Sequence, residues 1–181
     1  PVREALQRLA HHGLVTLESH RGAFVRSLDL DEVRDLFEVR IALECEAAEL
    51  AAARIGPQGL AALARLQDAS TAELEDGEQP SVFDTLDLHD LIVHHAGNSR
   101  LQQAVAQVNV ELRLARSRSG ATGQRAKNAA QEHLQLVTCL TERDGEGARA
   151  AMKEHLMASL HNTINVLEAA AADERQGALG V

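Results

Sequence analysis

Apolar residues recur at intervals of three and four along nearly all of this 181-residue chain, the spacing of amphipathic helices rather than the alternation of strands. At the start, Val2, Leu6, Leu9 and Ala10 share one helical face. Pro1 suits a first helical turn, where its missing N–H is not needed, and Gly13 can end the helix in a left-handed cap. Leu14 to Leu17 and Ala23 to Val25 then read as two short strands, with Glu18 to Gly22 as the hairpin turn. Ser27-Leu28-Asp29 forms a junction, and Asp29 or Asp31 can cap the next helix. Beyond it the pattern predicts only helices, over about 30–55, 58–75, 80–96, 99–117, 124–143 and 146–171. Gly56-Pro57, Gly97-Asn98, a Ser/Gly loop from Ser117 to Gly123 and Asp144-Gly145 separate them. A short tail, 173–181, is predicted to fray. There is no internal repeat.

A helix followed at once by a small hairpin is how a winged helix-turn-helix ends, with the helix in the major groove and the hairpin tip on the backbone. The predicted fold is therefore mainly α. The C-terminal part of a winged helix-turn-helix (1–27) precedes an antiparallel bundle of six or seven helices (28–172).

Charge sharpens this division. The net charge is −9, yet Arg3, Arg8, Arg21 and Arg26 outweigh Glu4 and Glu18 in the first 26 residues by +2, which leaves −11 for the rest. A slightly basic head on an acidic body suits a protein whose phosphate contacts are confined to the head. Arg3, in the first helical turn, can clamp guanine or a phosphate. His20, Arg21 and Gly22 form the wing tip, where glycine lets backbone approach the duplex. Arg8 also reads as a structural partner of Glu4, and His11 and His12 as solvated. Trp and Tyr are absent and Phe is limited to three, which disfavours stacking on single-stranded nucleic acid. Cys45 and Cys139 have no CxxC partner and read as small buried apolar residues. No apolar run is long enough to span a bilayer and no signal peptide is visible, so the expected location is cytoplasmic.

The histidines are not equivalent. His89 shares a face with Leu86, Ile92, Val93 and Ala96, His133 with Leu136, Val137 and Leu140, and His155 with Ala151, Met152 and Ala158. Three helices thus each aim one imidazole at the interior. Singly, each reads as a hydrogen-bonded core residue; together they are what a divalent transition metal such as zinc, nickel or manganese requires. His94 and His95 read as edge residues near a helix end. His161 points about 120° away from His155, whereas Asn162 faces the same way and can support a site or a ligand. Arg40 and Glu44 stand four apart: an i,i+4 ion pair if exposed, or a fork for a carboxylate if Arg40 faces a pocket.

Pro1-Val2-Arg3-Glu4-Ala5-Leu6, Arg8-Leu9, Gly13-Leu14-Val15 and Arg21-Gly22 before Val25 resemble the GntR family of bacterial transcription regulators. That family's DNA-binding domain starts upstream with two helices and a turn, so a chain opening at Pro1 is expected to be a piece of a longer one. Arg40-x-x-x-Glu44-x-x-Ala47, Leu88-His89-x-x-Ile92 with Ala96-Gly97-Asn98, Glu132-His133-x-x-Leu136, and Asp144, Ala148, Met152 and His155-Leu156 resemble the all-helical FCD effector domain of its FadR subfamily. The resemblance implies metal ligation by His89, His133 and His155, DNA contact by Arg3, and a small organic acid effector whose carboxylate can reach the metal. It also implies a homodimer reading a pseudo-palindromic operator in double-stranded DNA. Where the family usually has Asp or Asn one turn before the first His, this chain has Thr85. Thr85 lies about 40° from His89 around the helix, and Asp84 and Asp87 about 140° and 160°, so Asp84 could contribute only through a helix irregularity.

The leading expectation is a DNA-binding transcription regulator, a repressor, whose helical domain binds a metal and an organic acid, with Arg40 and Asn162 as effector contacts. A metal-responsive regulator without an organic effector uses the same residues. A three-histidine metal hydrolase needs a general base beside the water, and the sequence assigns no carboxylate to the histidine face.

Overall fold

The computed structural model describes residues 1–75, 82–119 and 124–179. In chain order the elements are α1 (Val2–His11), β1 (Val15–Glu18), β2 (Gly22–Val25), α2 (Leu30–Arg54), α3 (Pro57–Glu75), α4 (Val82–His95), α5 (Ser99–Ser119), α6 (Gln124–Glu142) and α7 (Gly145–Leu179). The fold is mainly α, as the periodicity predicts, with one two-stranded antiparallel hairpin in the register Val15↔Val25 to Glu18↔Gly22.

The termini obey local chemistry. Gly13, at φ +71°, closes α1: its N–H reaches the Ala10 carbonyl and that of Leu14 the Leu9 carbonyl, the two bonds of a Schellman cap. Asp29, rather than Asp31, caps α2. Its carboxylate accepts from the Glu32 N–H at 2.8 Å while Glu32 accepts from the Asp29 N–H at 3.0 Å, a capping box. Asn98 caps α5 through the N–H groups of Arg100 and Leu101. At the end of α6 the left-handed position is held by Arg143 (φ +63°) instead of glycine; its guanidinium donates to the Ala52 carbonyl at 3.0 Å, a tertiary bond glycine would lack.

Two boundaries differ from expectation. Helix α5 runs on to Ser119, and α7 continues to Leu179 where a frayed tail is predicted. The run Ala169 to Ala172 followed by Asp173, Glu174, Arg175 and Gln176 offers no stop signal before Gly177, so helix propensity carries α7 on. The predicted opening of the third bundle helix at Pro80 lies outside the described residues.

Helix α2 is the axis of the bundle, packed by α7, α4, α5 and α6. Its stripe Ala47, Ala48, Ala51 and Ala52 is fully buried, and such small side chains let neighbouring helices approach closely. Three apolar clusters result. The largest joins Ala48, Ala51, Leu63, Ile92, Leu136 and Met152 across five helices. One end of α2 packs Val33 and Phe37 with Leu112, and a third cluster joins Ala47 with Val93, Leu101 and Val105. Among these clusters lies a set of buried polar side chains.

Helix α1 and the hairpin stand apart from that core. No α1 residue is buried, and Val2 and Val25 are about three-quarters exposed. Arg26, directly after β2, ties this head to the bundle, pairing with Glu32 of α2 and with Glu111 of α5. Among the described residues no helix is long and apolar enough to cross a membrane.

Candidate functional site

The periodicity places His89, His133 and His155 on inward faces of α4, α6 and α7, and the bundle brings them together. All three are buried. His155 Nε2 lies 3.2 Å from His89 Nε2 and 3.4 Å from His133 Nε2. One ring nitrogen from each falls within 4.8 Å of the others.

Carboxylates hold the opposite edges of two of these rings. Glu44 Oε2 is 2.5 Å from His89 Nδ1, and Glu132 Oε2 is 2.8 Å from His155 Nδ1. A carboxylate accepts, so Nδ1 carries a proton on both rings, and a neutral ring so held presents its Nε2 lone pair to the shared centre. Burial pushes His155 down to about 4, with His89 and Arg40 adding to this and Glu132 only partly opposing it. Its ring is therefore neutral at neutral pH. Burial would raise Glu44, but Arg40 and His89 outweigh it and hold the carboxyl well below the usual range. Glu132 is lowered in the same way, burial being outweighed by His155 and Arg125.

Two arginines back the carboxylates. Both Nη atoms of Arg125 donate to Glu132 at 2.7 Å. Arg40 Nε donates to Glu44 Oε1 at 2.5 Å. That pair is 1 % and 0 % exposed, so it is not the solvated i,i+4 pair that spacing alone allows. Arg40 Nη1 and Nη2 are buried and find no hydrogen-bond partner among the described residues. Of the guanidinium, only Nε is committed to Glu44.

Asn162 is half-buried on α7. Thr85, Asp84 and Asp87 belong to α4, but their side chains lie outside the described residues. Cys45 is buried and Cys139 half-buried, both free. His94 and His161 are exposed. The His95 ring lies against Gly59, where a Cβ would come within 2.5 Å of Nε2.

At the head, Arg3 is exposed on α1. With Glu18, His20 and Gly22 it lines a cleft between that helix and the hairpin tip. His20 (φ +63°) and Gly22 (φ +103°) make the turn. Arg21 stacks over Phe24 with its charge 5.6 Å from the ring centre and pairs with Glu18 at 2.5 Å. Among the described residues Arg8 makes no ion pair with Glu4.

Glu44 and Glu132 are the functional residues that periodicity does not reveal. The signal for Glu44 is present: it falls on the buried stripe of α2 with Phe37, Ala47, Ala48 and Ala51, where an acid needs a partner. Glu132 carries no such mark, because its partner His155 is twenty-three positions away.

A family model described as FCD domain matches residues 35–158. The Nta operon transcriptional regulator of Aminobacter aminovorans is 26 % identical over 175 residues, covering 96 % of this chain and 81 % of that protein. The HTH-type transcriptional repressor RspR of Escherichia coli K12 is 26 % identical over 157 residues, covering 86 % and 69 %. Among solved structures, E. coli McbR/YncC superimposes with a TM-score of 0.82 at 20 % identity over 90 % of this chain and 83 % of that one.

Proposed function

This chain belongs to the FCD-domain family of GntR-type regulators, and we propose that it is a DNA-binding transcription regulator, a repressor, whose helical bundle holds a divalent transition metal and senses a small organic acid. Its relatives are transcription regulators rather than enzymes. Residues 1–27 serve as the C-terminal part of the winged DNA-binding domain and 28–172 as the effector domain. Arg3, with His20, Arg21 and Gly22, meets the operator, and two copies read its two half-sites.

One observation carries the metal reading. The Nε2 atoms of the three rings converge, that of His155 lying 3.2 Å from His89 and 3.4 Å from His133, while carboxylates occupy the Nδ1 positions of His89 and His155. Neutral rings held this way bring their lone pairs together and cannot hydrogen-bond one another. A cation held by the three Nε2 atoms resolves this, and a soft-to-borderline divalent metal suits an all-imidazole set. The carboxylates are the orienting partners such ligands commonly have.

The organic effector rests on Arg40. A buried guanidinium with free Nη groups has the geometry to grip a carboxylate, with Asn162 as a further contact. An acid that binds one arrangement of the dimer better shifts the population and changes operator affinity. The open fork favours this over sensing by metal alone.

Elemental analysis of purified protein, with His89→Ala, His133→Ala and His155→Ala alongside, tests the metal. About one metal per chain, lost in each variant, is expected. No metal after incubation with zinc, nickel and manganese overturns the shared site. Titrating metal and carboxylates separately into an operator-binding assay then divides the two sensing modes.

A further inference from the structure

The cleft at the head has two walls. Ser19, His20 and Gly22 come from the wing tip, and Arg3 and Gln7 from α1. Gln7 is exposed, and no hydrogen bond within the described residues commits its amide. It follows Arg3 by four positions, about 40° round the helix and about 6 Å along its axis. The charged neighbours on α1 turn elsewhere. Glu4, Arg8 and His11 lie about 100°, 140° and 80° from Arg3 by the same geometry, and none of them lines the cleft. Gln7 is thus the polar side chain of α1 that shares the cleft with Arg3.

The two walls suit different parts of a duplex. Phosphate contacts position a protein, and contacts to base edges specify sequence. Ser19 offers a hydroxyl and Gly22 a backbone open to close approach, as a phosphate contact requires. Glu18 also lines the cleft, but Arg21 pairs with it at 2.5 Å, which offsets its repulsion of phosphates. On the helix wall Arg3 carries a charge and Gln7 does not. An uncharged amide gains little from the phosphate field. Its C=O and NH2, side by side, instead match the N6–H and N7 of adenine in the major groove. The offset of about 6 Å along α1 is close to two base steps of about 3.4 Å, so Arg3 and Gln7 address different base pairs.

We propose, on the reading that the head binds DNA, that Gln7 is a specificity-determining residue that reads an adenine in each half-site of the operator. Its amide oxygen accepts from adenine N6–H, and its amide N–H donates to N7. Guanine, cytosine and thymine each break one or both of these bonds.

The test is selection of bound duplexes from a pool of random double-stranded DNA by the full chain, followed by anisotropy titration of the selected duplex and of duplexes changed at one position. The expected motif holds an adenine in each half-site, and replacing it in one half-site weakens wild type by about 5- to 140-fold. Gln7→Ala should bind all four bases at that position within about twofold of one another, with the salt dependence of wild type because no charge is removed. Gln7 is exposed and alanine favours helix, so this variant keeps its fold. Gln7→Arg should move the preference at that position from adenine to guanine, an outcome that a merely structural role does not give. A motif identical in wild type and Gln7→Ala overturns the inference and leaves a DNA-binding head intact. So does equal weakening of every duplex, random DNA included, by Gln7→Ala. If wild type selects no duplex, the DNA-binding reading falls and takes the inference with it.

Discussion

Glu132 accepts the Nδ1 proton of His155 at 2.8 Å, and through that bond α6 decides which nitrogen α7 offers to the centre of the bundle. The carboxylate is itself fixed by both Nη atoms of Arg125. The chain of contacts therefore runs from a cation near the surface, through an anion, to a buried neutral ring.

Glu132→Gln is expected to weaken metal binding by about 10- to 100-fold with little loss of fold. The amide still accepts from the ring but no longer favours its orientation with a full charge, and the Arg125 fork loses its anion. Competition of the variant and wild type against a chelating dye measures the ratio. An unchanged affinity would mean that Glu132 only anchors Arg125.

Glu44→Gln should act on stability rather than on the metal alone. Arg40 and Glu44 are almost completely buried, so removing the anion strands a guanidinium in the core, a change that typically costs about 3–5 kcal/mol. Replacing both, Arg40→Met with Glu44→Gln, removes the stranded charge and should recover much of the loss. Urea unfolding of the two singles and the double gives the coupling directly. Additive losses would refute it.

The metal-free protein should lose stability as pH falls from about 6.5 to about 4. In that window His155 is protonated in the unfolded chain, at its ordinary 6.5, but stays neutral in the folded one, where burial holds it near 4. The unfolded state then binds more protons, so unfolding free energy rises with pH. The full span amounts to at most about 3 kcal/mol. Glu44 and Glu132, both lowered, add losses of the same sign below their ordinary 4.5. Thermal melts across this range should show the slope above pH 4.5 flatten in His155→Gln; a slope unchanged by that substitution would assign it elsewhere.

Helical spacing makes much of this legible in the sequence. Leu136, Val137 and Leu140 bury the His133 face of α6 and Ala151 and Met152 that of α7, so the inward aim of both imidazoles comes from period alone. Asp29, Gly13 and Asn98 mark their boundaries because capping is local chemistry. Period cannot show the partners across the bundle: that Glu44 reaches His89, forty-five positions away, or that Glu132 reaches His155, twenty-three away. Such pairings depend on how helices dock, and no local rule encodes them. The end of α7 escapes for the opposite reason, since the alanine run after Leu167 has no apolar period yet keeps its helix by propensity.

Arg26 links the bundle to the head. Arg26 comes directly after β2 and pairs with Glu32, which belongs to the α2 capping box, and with Glu111 on α5 at 3.4 Å. Helix α2 carries Arg40, so one of the two acids that hold the head sits on the helix that the proposed effector would touch, and the other on a helix packed against it. These side chains are roughly one-quarter to one-third exposed, and pairs near the surface contribute under about 1 kcal/mol. Arg26→Ala should therefore leave thermal stability nearly unchanged. Operator binding without effector should also persist, because the residues proposed to meet the operator, Arg3 and the wing tip, are unchanged. The quantity expected to shrink is the ratio of operator affinities with and without the inducing acid, since a head no longer fixed to α2 and α5 is less sensitive to their shift. Fluorescence anisotropy on labelled operator, in the presence and absence of acid, reads that ratio directly. An intact ratio would show that the signal passes through the junction Ser27-Leu28-Asp29 without help from Arg26.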